Sequence, residues 1–320
     1  MKSPLRVGVV GVGELGSRHA RVYAEISEVE LVGVCDLDPE RVDASARTHA
    51  VRAFRDFRDL IPEIEAASVA VPTADHHDVT SAILEAGVHV LVEKPIASSL
   101  AEARAMIELS RRKGLRLAVG HTERYNPAVE AVLSLGSDPR FIEVHRLGSF
   151  SPRSLDIDVV LDLMIHDIDV ILSLVDSEVF EIRAAGIPVL SRKADIANVR
   201  IEFVNGCVAN MTASRVSTEA SRKLRFFQPH DYVSIDYAAQ EGYRLSLRGG
   251  RIHKEKLNPM SQEPLRVELE AFVGAVESRS APLVDGAAGL RALEVGLAVN
   301  REIEEHALRR EGVEGTRGGS

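Results

Sequence analysis

The chain has 320 residues, 45% of them apolar and 27% charged, with a formal net charge of −9 at pH 7. That length suffices for two hydrophobic cores, and the composition is far from that of disordered or fibrous chains. The acidic balance holds no Lys/Arg cluster for a nucleic-acid backbone, and no apolar run approaches the ~20 residues that a bilayer requires. The first residues, MKSPLRVGVVGVG, lack the h-region and cleavage site of a secretory signal, so the expected location is the cytoplasm, without nucleic-acid or membrane partners. Cys35 and Cys207 have no second thiol near them in sequence, and neither a disulfide framework nor a metal site is expected.

From residue 5 to residue 120, short apolar runs at 5–10, 30–35, 68–71, 88–92 and 116–119 read as buried strands. Helical spacing fills 16–26, 39–50, 76–86 and 100–113, and Ser99 with Glu102 forms a capping-box pattern before the last of these. Alternation of this kind predicts an α/β domain over residues 1–121, a parallel sheet covered on both faces. Beyond His121 the texture changes. A helix-like segment at 162–175 is followed by extended runs at 179–187, 197–203, 208–214, 224–228, 232–237 and 243–248, with Asn205-Gly206 and Gly249-Gly250 as turn signals. Amphipathic helices at 265–276 and 289–305 complete an α+β domain over 122–306 built on a large, open, mostly antiparallel sheet. One face of such a sheet needs a partner, so a homodimer or homotetramer through it is expected. Residues 307–320 are expected to form a flexible tail.

Gly11-Val12-Gly13-Glu14-Leu15-Gly16 is a G-x-G-x-x-G run that ends a predicted strand and opens a helix. There Gly11 permits a tight turn, Gly13 lets the backbone approach a pyrophosphate, and Gly16 allows close helix–strand packing, with the helix N-terminus facing the anion. Asp36 ends the next strand, 20 residues after Gly16, where an acidic side chain accepts hydrogen bonds from the adenosine ribose. The other reading of Asp36 is that, with Asp38 and Pro39, it only caps the following helix. Together the two halves indicate a Rossmann domain binding NAD, and Asp36 opposes the additional phosphate of NADP, although Arg41 lies close enough in sequence to blunt that effect.

A buried strand also ends in Glu93-Lys94-Pro95, placing Lys94 at the carboxyl edge of the sheet, where ligands bind in such folds. Taken alone, the tripeptide reads equally as a solvated ion pair. Asp162 and His166 lie four residues apart on one helical face, with Asp169 continuing roughly along it. A carboxylate beside an imidazole suits a base that takes a proton from a hydroxyl, while the plainer reading is a helix-start acid and a polar position on an apolar helix.

With these residues in place, the chain resembles the Gfo/Idh/MocA family of sugar and cyclitol dehydrogenases along nearly its whole length. The resemblance rests on the glycine motif, on Val71-Pro72 with His76, on Glu93-Lys94-Pro95, on Arg124-Tyr125-Asn126-Pro127, on Asp162 with His166, and on the stretch from Asp285 to Glu304. It implies that Lys94 and His166 are the catalytic pair and that Asp162 supports His166 or grips substrate. It also implies that Val71, Pro72, Thr73 and His76 flank the cofactor beside Glu93 and Lys94, with Arg124, Tyr125 and Asn126 on the substrate side. One departure is Met164, which stands where the family pattern Asp-x-Gly-x-His has glycine and adds a side chain that could narrow the pocket. The patterns around His121–Ala128 and Asp162–Asp169 are most similar to members that oxidise UDP-N-acetylglucosamine at C3. Arg146 and Arg153 are candidates to meet its diphosphate, scattered surface arginines being the alternative. The implied function is therefore NAD-dependent oxidation of a sugar-nucleotide hydroxyl. A dehydrogenase of a free sugar or inositol, a non-catalytic NAD-binding sensor, and glycoside hydrolysis with recycled cofactor are the competing readings.

Overall fold

The computed structural model describes residues 3–149 and 157–317, with side chains as far as Arg309. The chain divides into two compact units, residues 1–125 with 263–293 and residues 126–262 with 294–320. The first opens with β1 (Leu5–Val10), α1 (Glu14–Glu25), β2 (Val29–Cys35), α2 (Pro39–His49), β3 (Arg52–Phe54) and the short α3 (Phe57–Leu60). It continues through β4 (Ala66–Val69), α4 (His76–Glu85), β5 (His89–Glu93), α5 (Leu100–Lys113) and β6 (Leu117–Gly120). These six strands form a parallel sheet in the order β3-β2-β1-β4-β5-β6. Every residue of β4 and β6 is buried, as expected when helices cover both faces. Local signals define the helix ends. Asp38 caps α2 by accepting from the N–H groups of Glu40 and Arg41, and Ser99 with Glu102 completes the capping box of α5, which stops at Gly114 in the left-handed region. The order reverses between β1 and β4, so the crevice at their carboxyl ends is where such sheets bind ligands.

The second unit contains α6 (Pro127–Leu133), β7 (Phe141–Leu147), a single wide π turn over Val160–Met164 and α7 (Ile165–Leu174). There follow β8 (Val179–Ile187), β9 (Ile196–Phe203), β10 (Val208–Ser214), β11 (Ser221–Gln228), β12 (Asp231–Asp236), β13 (Glu241–Arg248) and β14 (Arg251–Leu257). Their order is β14-β13-β12-β11-β7-β10-β9-β8, antiparallel throughout except for the parallel β7–β10 pair. Ile142, Val144, Val199, Ile201, Met211, Leu224, Phe226, Val233 and Ile235 are buried on one face. The other carries a ladder of Phe141, Phe227, Tyr232 and Tyr243, with successive ring centroids 5.8, 4.9 and 5.7 Å apart. The sequence reading missed β7, the central strand, as well as β14 and α6, and in the first unit the short β3 and α3.

The chain then returns to the first unit through α8 (Pro264–Ser278) and the start of α9 (Gly286–Arg317). Leu265, Leu269, Phe272, Val273 and Val276 of α8 join one core with Val7, Val9, Ala20 and Tyr23. A Cβ on Gly289 would lie 2.6 Å from the Val119 side chain, so glycine is what allows α9 to approach β6 this closely. The single boundary expected near residue 122 therefore needs correction, because the apolar stripe of α8 completes the first core rather than the second. Residues 307–317, expected as tail, continue α9.

Candidate active site

The glycine loop follows β1. Gly11 has φ +85°, and a Cβ there would meet the Ala70 carbonyl oxygen at 2.5 Å, while a Cβ on Gly16 would lie 1.7 Å from the Gly11 oxygen. Gly13 differs, since a Cβ there would find nothing within 4 Å. Gly13 is also the N-cap of α1 and offers no side chain to the first N–H groups of the helix. Two glycines thus shape the turn, and the third faces open space at a helix N-terminus, which fits a dinucleotide pyrophosphate. Glu14 is exposed and pairs with Arg18, and Leu15 is half-buried. Asp36 accepts from the Val12 N–H at 2.8 Å and from the Asp38 N–H at 2.9 Å. Asp38 is the residue that caps α2, and Arg41 is paired with Asp38 at 3.2 Å.

At the next strand ends, His76 is buried with Nδ1 2.8 Å from the Pro95 oxygen and Nε2 3.0 Å from the Val71 oxygen. A neutral imidazole carries one N–H, so it donates to one of these carbonyls at a time. Burial pushes the His76 imidazole below its ordinary value, outweighing the two carbonyls and nearby Glu93 and Asp75, which favour the charged form. His76 is therefore a strap between the Val71 and Pro95 segments rather than an exposed contact, while Pro72 is exposed and Thr73 half-exposed beside it.

Lys94 is half-buried, and the Glu93 carboxylate beside it is buried. Glu93 Oε1 lies 3.0 Å from His19 Nε2, and Oε2 accepts the Lys94 backbone N–H at 3.1 Å. His19 Nδ1 is 3.1 Å from Ser68 Oγ, itself 2.9 Å from the Tyr23 hydroxyl. Burial pushes the Glu93 carboxyl up, but hydrogen bonding and charge from His19, with the Lys94 charge and N–H, hold it below the usual carboxylate range. The solvated-pair reading of Glu93 and Lys94 thus gives way to a buried network, whose members His19, Ser68 and Tyr23 carry no signal in a linear reading.

In the second unit, Asp158 accepts from the N–H groups of Val160 and Leu161, and Asn300 donates to its other oxygen at 3.0 Å. Asp158 therefore caps the start of this segment, and Asp162 lies in its first turn. The Ile165 N–H reaches back to the Val160 oxygen across the π turn, and Asp162 and His166, both half-buried, lie on this segment. Arg146 is buried and bidentate to Asp167, at 2.7 Å through Nε and 2.9 Å through Nη2. That pairing replaces the expected diphosphate contact. Arg153 lies outside the described residues. Asn126 caps α6 by accepting from the Ala128 N–H and donates to the Tyr237 oxygen, so its expected substrate role becomes a structural one. Tyr125 is buried and Arg124 half-buried in the short helical turn before it. Among the described residues no cluster of three His, Cys, Asp or Glu could hold a metal, and no helix is long and apolar enough to cross a membrane.

Residues 5–121 match the family model described as "Oxidoreductase family, NAD-binding Rossmann fold". The chain is 38% identical over 307 residues to UDP-N-acetylglucosamine 3-dehydrogenase of Acidithiobacillus ferrooxidans, covering 94% of this chain and 97% of that protein. The chain belongs to the Gfo/Idh/MocA oxidoreductase family. Another relative, myo-inositol 2-dehydrogenase of Thermotoga maritima, is 25% identical over 94% of this chain and 97% of its own length. The solved structure of the Acidithiobacillus enzyme, GnnA, superposes with a TM-score of 0.90 at 37% identity, covering 95% of this chain and 99% of that one.

Met164, at the family's glycine position, is fully buried. The family's glycine motif, Lys94 and the Asp162–His166 spacing are all present.

Proposed function

We propose that this chain is an NAD-dependent dehydrogenase that oxidises the C3 hydroxyl of UDP-N-acetylglucosamine to a 3-keto sugar. The observation that carries the reading is the likeness to the Acidithiobacillus 3-dehydrogenase over nearly both full lengths. Intact Lys94, Asp162 and His166 support catalysis over a sensor role. Residues of the first unit hold the cofactor, with Gly13 and the α1 N-terminus at the pyrophosphate, Asp36 at the adenosine ribose, and the Val71–Thr73 and Glu93–Lys94 segments towards the nicotinamide. Bound NAD supplies the hydride acceptor. His166 takes the proton of the substrate hydroxyl, Asp162 orients that imidazole, and Lys94 stabilises negative charge developing on the same oxygen. NAD is preferred over NADP because Asp36 repels the additional phosphate, and Arg41 is engaged by Asp38. The Phe141–Tyr243 aromatic face supports a homo-oligomer through the open sheet, and a cytoplasmic location, with its NAD pool, belongs to the same reading.

The test follows NADH with UDP-N-acetylglucosamine, free N-acetylglucosamine and myo-inositol in parallel, with an aminotransferase present to remove the keto product. Turnover with the nucleotide sugar is expected, and free N-acetylglucosamine should lose kcat as well as affinity, because the distant diphosphate supplies binding energy that orients the ring. Activity confined to an unlinked compound refutes the substrate. Lys94→Ala and His166→Ala should each lower turnover by about 10² or more while NAD affinity holds. Near-normal turnover in both refutes the assigned roles.

A further inference from the structure

The buried cluster beneath Lys94 is larger than a strand end requires. Tyr23 and His19 of α1, Ser68 of β4 and Glu93 of β5 form an unbroken hydrogen-bonded row, and all four are buried. Gly120 of β6 leaves the space the carboxylate fills, since a Cβ there would sit 2.9 Å from the Glu93 carboxyl atoms. An ionised Glu93 only accepts hydrogen bonds, so His19 Nε2 carries the proton in that contact. Nδ1 then faces a serine hydroxyl that can donate or accept by rotation. The row therefore satisfies His19 whether the ring is neutral or charged. A buried carboxylate costs desolvation that well-packed apolar side chains avoid. A carboxylate at this position, with one oxygen at His19 and the other on the backbone N–H of Lys94, points to a role beyond packing.

We propose that His19 is a positioning residue for hydride transfer: by keeping the Glu93 carboxylate paired and ionised, it fixes the backbone from which Lys94 extends and sets a negative charge beside it. The inference rests on the dehydrogenase reading above and deepens it. The other groups facing the cluster are Lys94 on the same strand end, His76 of α4, which feels the Glu93 charge, and Glu268 of α8, which feels Tyr23 and accepts from Thr122.

Four variants test it: His19→Leu, which removes the donor, His19→Gln, which keeps a donor without a titrating ring, Glu93→Gln, and the His19→Leu/Glu93→Gln double. In His19→Leu the carboxylate loses a charge-assisted partner, so Glu93 should protonate at a pH higher by about a unit or more. Infrared spectroscopy across an acid titration should then show a buried carboxyl band that appears at a higher pH than in the wild type and is absent from Glu93→Gln. The acid limb of kcat/KM should move up with it, kcat should fall about tenfold or more from misplacement of Lys94, and the NADH dissociation constant should stay within about threefold. His19→Gln should recover most of kcat, and the double variant should be no slower than Glu93→Gln alone. A His19→Leu protein with the wild-type pH profile and infrared spectrum overturns the proposal, as does loss of cofactor binding in step with kcat. If His19→Leu does not fold, Ser68→Ala takes its place, with a smaller shift of the same sign expected, and no shift overturns the proposal. The infrared and cofactor measurements need no substrate. A wild type inactive on every compound would therefore refute the functional reading separately from the clamp.

Discussion

Replacing Gly16 and Gly13 separately by alanine distinguishes the part of the glycine motif that holds the fold from the part that meets a ligand. At Gly16 the new Cβ would lie 1.7 Å from the Gly11 carbonyl oxygen, a backbone atom that cannot rotate away. Relief requires α1 to withdraw from the turn by more than an ångström, which loosens the packing of Ala20 and Tyr23 against β1. Overpacking against side chains costs about 1–3 kcal/mol, and a backbone obstacle puts this site at about 3 kcal/mol or more. For a unit of this size that is a fall in Tm of about 6–12 °C. At Gly13 the methyl meets nothing within 4 Å, and only the N-cap preference of glycine over alanine is lost, about 1 kcal/mol or less. The Gly13→Ala protein should melt within about 4 °C of wild type yet bind NAD about tenfold more weakly, equivalent to about 1.4 kcal/mol, because the methyl occupies the approach to the helix N-terminus. Thermal melts with NADH fluorescence titrations read both quantities. Wild-type NAD affinity in Gly13→Ala, or a wild-type melt in Gly16→Ala, refutes the division of roles.

Wild-type protein should bind NAD about tenfold or more tightly than NADP, and Asp36→Ser should narrow the gap; equal dissociation constants before mutation would sink the electrostatic argument. Arg146→Met strands the buried Asp167 carboxylate and should cost about 3–5 kcal/mol in denaturant unfolding, whereas the Arg146→Met/Asp167→Leu pair should recover most of it; equal losses in single and double would count against the pairing. Because burial depresses His76, its unfolded form binds a proton first, so His76 contributes stability that is present above about pH 6.5 and lost as pH falls through the folded value. The Tm of wild type should therefore fall more steeply than that of His76→Gln between pH 7.5 and 5.5, and parallel curves would contradict this.

The first sheet was legible because strands buried on both faces leave continuous apolar runs with glycine and capping signals between them. In the second unit the central strand β7 escaped notice for a physical reason. Its inward positions include Arg146, which Asp167 neutralises from another element, so the alternation in FIEVHRL is broken by a charge whose partner is 21 residues away. The strand β14 is exposed along nearly its whole length and offers no apolar face to detect. Lys94, Asp162 and His166 were singled out through motif and spacing, and their catalytic roles belong to the proposed function. Asn126 showed the reverse, a motif residue whose side chain serves as a helix cap and a tie to Tyr237. His19 and Glu93 meet across 74 residues of sequence, and no period or spacing reports such a contact.

The return of residues 263–293 to the first unit bears on how the chain is made and how it can be cut. On the ribosome, β1 to β6 emerge well before α8, so the apolar surface around Ala20 and Tyr23 waits uncovered while the whole eight-stranded sheet is synthesised. A fragment ending near residue 121 would carry the full glycine motif and Lys94 yet lack Leu269 and Phe272, both buried in the same core. Such a fragment should be sticky and unstable. A functional nucleotide-binding piece would instead have to be spliced from two separated stretches, with a short linker replacing residues 126–262.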